Sequence, residues 1–119
     1  MWSYQQSTGE LLAAGGTHVG DGYAGHGAGR NNPAMQAVHN VGPLPCGFYT
    51  ISPAHDHPKL GPLTMDLIPD TDNEMFGRDD FRVHGDNATH DASEGCIVLD
   101  HGVRLQVANS PDRRLLVIA

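Results

Sequence analysis

The chain has 119 residues, of which 39% are hydrophobic and 18% charged, as expected for a soluble globular protein. Its formal net charge is −7 with only seven Lys and Arg residues, so repulsion from a phosphate backbone argues against nucleic-acid binding. No apolar run reaches the roughly 20 residues that a membrane span needs, and residues 1–6 lack the basic and apolar regions of a secretory signal.

Fifteen glycines and eight prolines predict many turns, which favours short strands over a helical bundle. A hairpin is predicted first, with strands at 2–6 and 10–14 around the turn Ser7-Thr8-Gly9. Residues 15–32 carry seven glycines and few large apolar side chains, which predicts a long loop outside the core. A helical turn is expected at 34–39, after Asn32-Pro33.

The second half of the chain alternates strands and turns. Residues 53–62 are predicted to form a loop, and Asp100 is expected to cap a short helix that continues through Asn109. The predicted strands are 47–52, 63–68, 81–84, 97–99 and 115–118. We therefore expect one domain over residues 1–119, mostly β, built as a small sandwich or barrel with one or two short helices.

The chemistry-bearing segment begins with His84, which ends one predicted strand, and continues to Cys96, which begins another. A cysteine is a useful nucleophile when a nearby base or positive charge favours its thiolate. If the two strands are neighbours, the ring and the sulfur meet at one sheet edge, within about 4 Å. Gly95 leaves space beside the sulfur, and the backbone N–H groups of Gly95 and Cys96 are candidates for an oxyanion hole.

A plainer interpretation remains open for each residue alone. A cysteine before Ile-Val-Leu is commonly a buried thiol, and a single histidine at a strand end is often structural. Their joint occurrence within His84-Gly85 and Ser93-Glu94-Gly95-Cys96 favours catalysis. Ser93 is included among the catalytic candidates because it can form hydrogen bonds within the same loop.

This frame resembles the signature of L,D-transpeptidases of the YkuD type, in which His-Gly precedes Ser/Thr-x-Gly-Cys-Ile/Val. Residues 42–51 (GPLPCGFYTI) resemble the Pro-x-Gly-x-Phe/Tyr-x-Ile strand of the same enzymes. Further pieces resemble the type VI secretion effectors of this superfamily and related phage-borne domains, and together the matches cover nearly the whole chain. These pieces are residues 6–9, residues 25–33, Gln36 and residues 110–115.

The resemblance implies a β-rich fold and a peptidoglycan stem peptide as substrate. Cys96 would attack the carbonyl of the third stem residue, usually meso-diaminopimelate, and expel the terminal D-alanine. His84 would act first as base and then as acid. Secreted L,D-transpeptidases typically have Arg two positions after the cysteine, where this chain has Val98, and an apolar residue there is shared with the effector branch.

Three residues near this frame are candidates for substrate binding. Arg82 lies on the same side of its predicted strand as His84, where it could receive a stem carboxylate or pair with a neighbouring aspartate. Gly85 relieves crowding beside the histidine, and Asn87 could contact substrate, shape the loop or orient His84.

Other residues are expected to be non-catalytic. His55 and His57 have a metal-like spacing but no further ligand at a recognisable distance in the sequence, so neither a metal nor a cofactor is expected. His90 is expected to face solvent. Cys46 has no histidine near it in the sequence and is expected to be a buried thiol.

We therefore expect a cysteine L,D-carboxypeptidase or L,D-transpeptidase, made in the cytoplasm and delivered by a secretion machine or phage particle to a target cell's periplasm. An immunity protein is a possible partner. Two other classes stay open: a non-catalytic peptidoglycan-binding module, and a histidine-rich metal-binding protein.

Overall fold

The protein is described by a computed structural model that covers residues 1–119. Ten strands and one α-helix account for its regular structure, together with short 3-10 helices at Gly27–Gly29 and Pro33–Met35. The strands are β1 (Trp2–Gln5), β2 (Glu10–Leu12), β3 (His18–Asp21), β4 (Tyr23–Ala24), β5 (Gly47–Ile51), β6 (His55–His57), β7 (Gly61–Pro69), β8 (Arg82–His84), β9 (Ile97–Val98) and β10 (Arg114–Ile118). The helix α1 is His101–Ala108.

The strands form one continuous sheet that curls into a nearly closed barrel, in the order β3-β2-β1-β10-β5-β7-β8-β9-β4, with β6 added beside β7. Two pairs are parallel: β1 with β10, where Trp2 lies opposite Leu115, and β8 with β9, where His84 lies opposite Val98. The remaining pairs are antiparallel. The predicted mostly β fold class is confirmed.

The core lies inside this curled sheet and is built from alternate residues of its strands. Trp2 and Tyr4 of β1 point inward beside Leu115 and Val117 of β10, and all four are buried. The Trp2 indole N–H donates to the carbonyl oxygen of Asp112 at 3.0 Å, so its polar atom is satisfied.

Two segments that were expected to be loops contain strands, so those predictions were wrong. Residues 15–32 hold β3 and β4, and Tyr23 and Ala24 of β4 are buried despite the glycine-rich composition around them. Residues 53–62 hold β6, which pairs with β7 through His55 and Thr64. Both strands are short and gain their order from pairing with distant partners, which composition does not reveal.

The two predicted helical segments form near their expected positions. Asn32 caps a 3-10 helix at Pro33–Met35, where its side chain accepts a hydrogen bond from the Ala34 N–H. The Asp100 side chain accepts from the Val103 N–H at 2.9 Å and begins α1. Helix α1, with eight residues, is too short to cross a bilayer, and no helix of the structure could do so.

Candidate active site

The parallel pairing of β8 with β9 places the predicted base and nucleophile on neighbouring strands, but His84 lies opposite Val98, two residues beyond Cys96, so the two residues are at opposite ends of this short pairing and do not meet at one sheet edge as expected. His84 is the last residue of β8, and Cys96 immediately precedes β9. Both side chains line a cavity of about 510 Å³. The other residues that line it are His26, Lys59, Leu60, Asp91, Ala92 and Glu94.

The residue His84 is 2% exposed, and its ring is held by one backbone contact, with Nδ1 2.8 Å from the carbonyl oxygen of Gly85. A carbonyl can only accept, so Nδ1 carries the hydrogen and Nε2 keeps its lone pair. Burial lowers the pKa of His84, the Gly85 contact opposes this, and the charge of Arg104 lowers it further. The ring is therefore neutral at pH 7 and has one nitrogen free to accept a proton.

Cys96 is half-buried, and its sulfur lies 3.9 Å from the carbonyl oxygen of Asp80. Burial raises the pKa of the thiol, the Arg82 amide and charge lower it, and the Asp80 and Glu94 carboxylates raise it. The resting pair is thus a neutral thiol and a neutral imidazole. Each makes its hydrogen bond to a backbone carbonyl, and the two share the cavity without a hydrogen bond between them.

Ser93 organises the loop that carries the thiol. Its hydroxyl oxygen accepts from the N–H groups of Gly25 at 2.9 Å and Gly95 at 3.0 Å. The same hydroxyl donates to the Cys96 carbonyl oxygen at 2.6 Å. Because its bonding capacity is filled by these backbone groups, Ser93 holds the Cys96 backbone in place and has no hydrogen left for substrate.

The two candidate oxyanion donors differ. The Gly95 N–H is already bonded to Ser93, so in this conformation it has no hydrogen for a substrate oxygen. The Cys96 N–H donates to no backbone or side-chain acceptor and is available. The Gly95 carbonyl oxygen accepts from the Leu44 N–H at 2.9 Å, which fixes the loop from its other side.

The comparison with known protein families covers the segment that carries this histidine, cysteine and serine. The model of the Tlde1 domain matches residues 18–116, which include His84, Ser93 and Cys96. The chain belongs to the Tlde1 domain family. This is a family of type VI secretion L,D-transpeptidase effectors. No curated protein and no solved structure matches the chain.

In this Tlde1 domain, Arg82 is occupied by carboxylates. Its Nε lies 2.9 Å from Asp66 Oδ1, and its Nη2 lies 3.1 Å from Asp80 Oδ1. Of the two roles expected for Arg82, pairing with an aspartate is therefore the one formed in the structure, and Asp66 was not foreseen as a partner.

The other two substrate-binding candidates have local contacts. The Asn87 side chain donates to Asp91 Oδ1 at 2.8 Å and accepts from the Asp91 N–H at 3.1 Å, so it shapes its own turn. A Cβ on Gly85 would lie 2.8 Å from Arg104 Nη2, so the glycine makes room for a buried guanidinium. Packing explains both residues without a substrate.

Tyr23 is a residue of the site that the sequence did not reveal. Its hydroxyl donates to Asp86 Oδ1 at 2.6 Å and accepts from the Ala92 N–H at 2.9 Å, so it joins the two ends of the 86–92 loop. Asp86 in turn contacts His90, at 2.7 Å. The signal available in the sequence was a lone large aromatic residue within a glycine-rich segment.

A second cavity, of about 300 Å³, is also lined by Cys96 and Glu94. Three carboxylates lie on its wall, from Asp79, Asp80 and Glu94. The remaining residues that line it are His39, Asn40, Arg78 and Phe81. Cys96 therefore faces two cavities, of which only the larger one contains His84.

The histidines that suggested a metal have other contacts. His55 Nε2 lies 3.2 Å from Asp66 Oδ1, and His57 Nδ1 accepts from two backbone N–H groups at 3.1 Å. The residues whose metal-capable atoms lie within 4.8 Å of one another are Glu10, His18 and Asp21, exposed on β2 and β3. There, His18 and Asp21 are joined by a 2.9 Å contact.

Proposed function

We propose that this domain is a cysteine L,D-carboxypeptidase or L,D-transpeptidase that acts on the tetrapeptide stems of peptidoglycan. One observation carries the proposal: His84, with a free Nε2, lines the same cavity as Cys96, whose backbone N–H is unbonded. Membership of an L,D-transpeptidase effector family supports the substrate class.

Acylation begins when the thiol turns from the Asp80 carbonyl toward His84. Nε2 accepts the thiol proton while the sulfur attacks the carbonyl carbon of the third stem residue. The Cys96 N–H donates to the oxygen that becomes negative. The intermediate then collapses, the bond to the D-alanine nitrogen breaks, and the imidazolium returns its proton to that leaving amine.

The thioester is resolved by a second attack. Water, activated at Nε2, releases the tripeptide and restores the thiol, which is the carboxypeptidase outcome. The amine of a free D-amino acid gives exchange, and the amine of a neighbouring stem gives a cross-link. Two cavities that meet at Cys96 would allow the acyl group and the incoming nucleophile to occupy different sides.

The biological part of the proposal follows from the effector family. A secretion machine would deliver the domain to the periplasm of a target cell, and an immunity protein would protect the producer. Expression directed to the periplasm should then be lethal or alter cell shape, whereas cytoplasmic expression should be nearly harmless. Cytoplasmic toxicity that persists in Cys96→Ala would contradict the substrate and the mechanism together.

The biochemical test is mass spectrometry of purified tetrapeptide muropeptides incubated with the protein, with and without D-methionine. We expect loss of D-alanine, and with D-methionine the exchanged product. Cys96→Ala should be inert, while Cys46→Ala serves as the matched control. Binding of muropeptides without any product from the wild type would instead favour a non-catalytic binding module.

A further inference from the structure

Two arginines are buried in this domain with backbone carbonyls as partners. Arg78 is 6% exposed, and its two terminal nitrogens donate to four carbonyl oxygens at 2.6–3.2 Å. Its guanidinium also lies over the Phe81 ring, 5.0 Å from the ring centre. The four carbonyls belong to Gln36, Gly42, Pro43 and Glu94.

Arg104 repeats this arrangement from helix α1. It is 7% exposed and donates to the carbonyl oxygen of Leu99 at 3.0 Å, of Pro62 at 2.7 Å and of Leu63 at 3.4 Å. Neither Arg104 nor Arg78 forms an ion pair, whereas Arg82 and Arg114 both pair with aspartates.

Each buried arginine contacts the glycine next to one member of the proposed catalytic pair. A Cβ on Gly95, which precedes Cys96, would lie 2.6 Å from Arg78 Nη2. A Cβ on Gly85, which follows His84, would lie 2.8 Å from Arg104 Nη2. Arg78 also lines the smaller cavity together with Cys96.

A buried cation without a carboxylate partner acts on its surroundings more strongly than a paired or exposed one. Carbonyl dipoles satisfy the hydrogen bonds of these guanidinium groups but leave their net charge in place. A nearby positive charge favours a thiolate and disfavours an imidazolium. The two arginines are therefore placed where they can act in complementary ways on the two members of the pair.

We propose that Arg78 and Arg104 are positioning residues that set the protonation states of the Cys96–His84 pair. Arg78 stabilises the thiolate that forms as the proton leaves Cys96, and it anchors the loop through the Glu94 carbonyl. Arg104 disfavours a proton on His84 in the resting enzyme, so the ring is available as a base at neutral pH.

Other charges face the same pair. Around Cys96 these are Asp80, Glu94 and Arg82, the last shared between two aspartates. Around His84 they are His57 and Asp86, and the larger cavity adds His26, Lys59, Asp91 and Glu94. None of these groups is as buried as either arginine, so solvent weakens their effects more. The burial of His84 and the charge of Arg104 both lower its pKa, in agreement with the geometry.

The inference rests on the catalytic pair of the proposed function, but its test needs no substrate, so the two can fail separately. The first measurement is the rate of Cys96 alkylation by iodoacetamide as a function of pH, read from the Cys96 peptide by mass spectrometry. Arg78→Gln keeps hydrogen-bond donors and loses the charge, so alkylation at pH 7 should slow by about tenfold. Arg78→Lys keeps the charge and should follow the wild-type profile.

The second measurement is the titration of the His84 ring by NMR. In Arg104→Gln the His84 pKa should rise relative to wild type, and in Arg104→Lys it should stay close to the wild-type value. Arg114→Gln is the matched control, because Arg114 is paired with Asp70 on the far side of β5 and should change neither titration.

Thermal melting and circular dichroism first establish that each variant is folded. An unchanged alkylation profile in folded Arg78→Gln, or an unchanged His84 titration in folded Arg104→Gln, overturns the proposal. If either glutamine variant does not fold, the lysine variant at that position decides. A wild-type titration in the lysine variant supports the role of charge. A titration shifted in the direction expected for loss of the cation overturns that role.

Discussion

The two cysteines of this protein are alike in most properties that are usually quoted for reactivity. Cys46 and Cys96 are both free and half-buried, and burial raises the pKa of both thiols. Their neighbours differ. The Cys46 thiol donates to Gln6 Oε1 at 3.4 Å, and its backbone N–H donates to Gln36 Oε1 at 2.9 Å.

Cys96 has what Cys46 lacks: an unbonded backbone N–H, and a cavity shared with a neutral histidine. The Cys46 cavity is lined by no histidine, and its residues include Phe48, Asp70 and Asn73. Exposure and thiol pKa therefore do not distinguish Cys96, the proposed nucleophile, from Cys46. The neighbouring histidine and the free backbone donor do so.

The largest expected effect comes from removing the proposed nucleophile or the proposed base. Cys96→Ala should reduce kcat/KM for a tetrapeptide by at least about a thousandfold, because no other group can form the thioester. His84→Ala should produce a loss of similar order. Cys46→Ala should retain most activity, and comparable rates in Cys96→Ala and wild type would contradict the mechanism.

Ser93→Ala tests whether the loop that holds Cys96 needs its buried hydroxyl. The change leaves two buried N–H groups and one carbonyl without their partner, so unfolding free energy should fall by about 2–4 kcal/mol. Because the Cys96 backbone loses its anchor, kcat should fall by roughly 10–100-fold. Ser110→Ala is the control: its hydroxyl accepts from the Asp112 N–H away from the site, and its loss should leave kcat unchanged. Wild-type kcat and stability in Ser93→Ala would show that the hydroxyl is dispensable.

The pH dependence of kcat/KM tests whether the resting pair is neutral. The folded-state pKa of His84 lies below its ordinary value of 6.5, so the neutral base form should predominate at pH 7. Activity should be level from pH 7 toward 9 and should fall on acidification with a midpoint below 6.5. An acidic midpoint clearly above 6.5 would instead indicate that His84 is protonated in the resting enzyme.

The same group links pH to stability. Between the lowered folded-state pKa and 6.5, the unfolded chain binds a proton at His84 that the folded protein does not. This contribution to stability is therefore present above pH 6.5 and is lost as the pH falls through the folded-state pKa. Urea unfolding at pH 7.5 and pH 5.5 measures it, and His84→Gln should reduce the difference.

The smallest effect is expected at the helix that follows the site. Asp100→Ala removes the cap of α1 and should cost about 1 kcal/mol of unfolding free energy. Since Asp100 lines neither cavity beside Cys96, kcat/KM should change far less than in Ser93→Ala. A large loss of activity with intact stability would mean that the helix start belongs to the site.

Local sequence signals predicted the hairpin and the capped helix, because a turn glycine and a capping aspartate act within a few residues. Strand β4 was missed because its order comes from pairing with β9, where Tyr23 lies opposite Val98, 75 positions later. The pairing of β8 with β9 agrees with the prediction that these strands are neighbours, whereas the register, which places His84 opposite Val98, was not readable from the sequence. The expected distance of about 4 Å between the His84 ring and the Cys96 sulfur stays a prediction.

The burial of Arg78 was not predictable from local sequence signals. Within Gly77-Arg78-Asp79-Asp80 the arginine has the sequence context of a solvated charged turn, and its burial depends on carbonyls from residues 36–43. For the same reason Gly95 was assigned to substrate access, whereas close approach to the Arg78 guanidinium accounts for it.

The most direct measurement is the identification of the acyl-enzyme. Wild-type protein is mixed with a tetrapeptide stem, quenched in acid within the first turnovers, digested and mapped by mass spectrometry. The account predicts a tripeptide acyl group, with D-alanine lost, on the Cys96 peptide and none on the Cys46 peptide. Product formation by Cys96→Ala, or an acyl group on Cys46 alone, would contradict it.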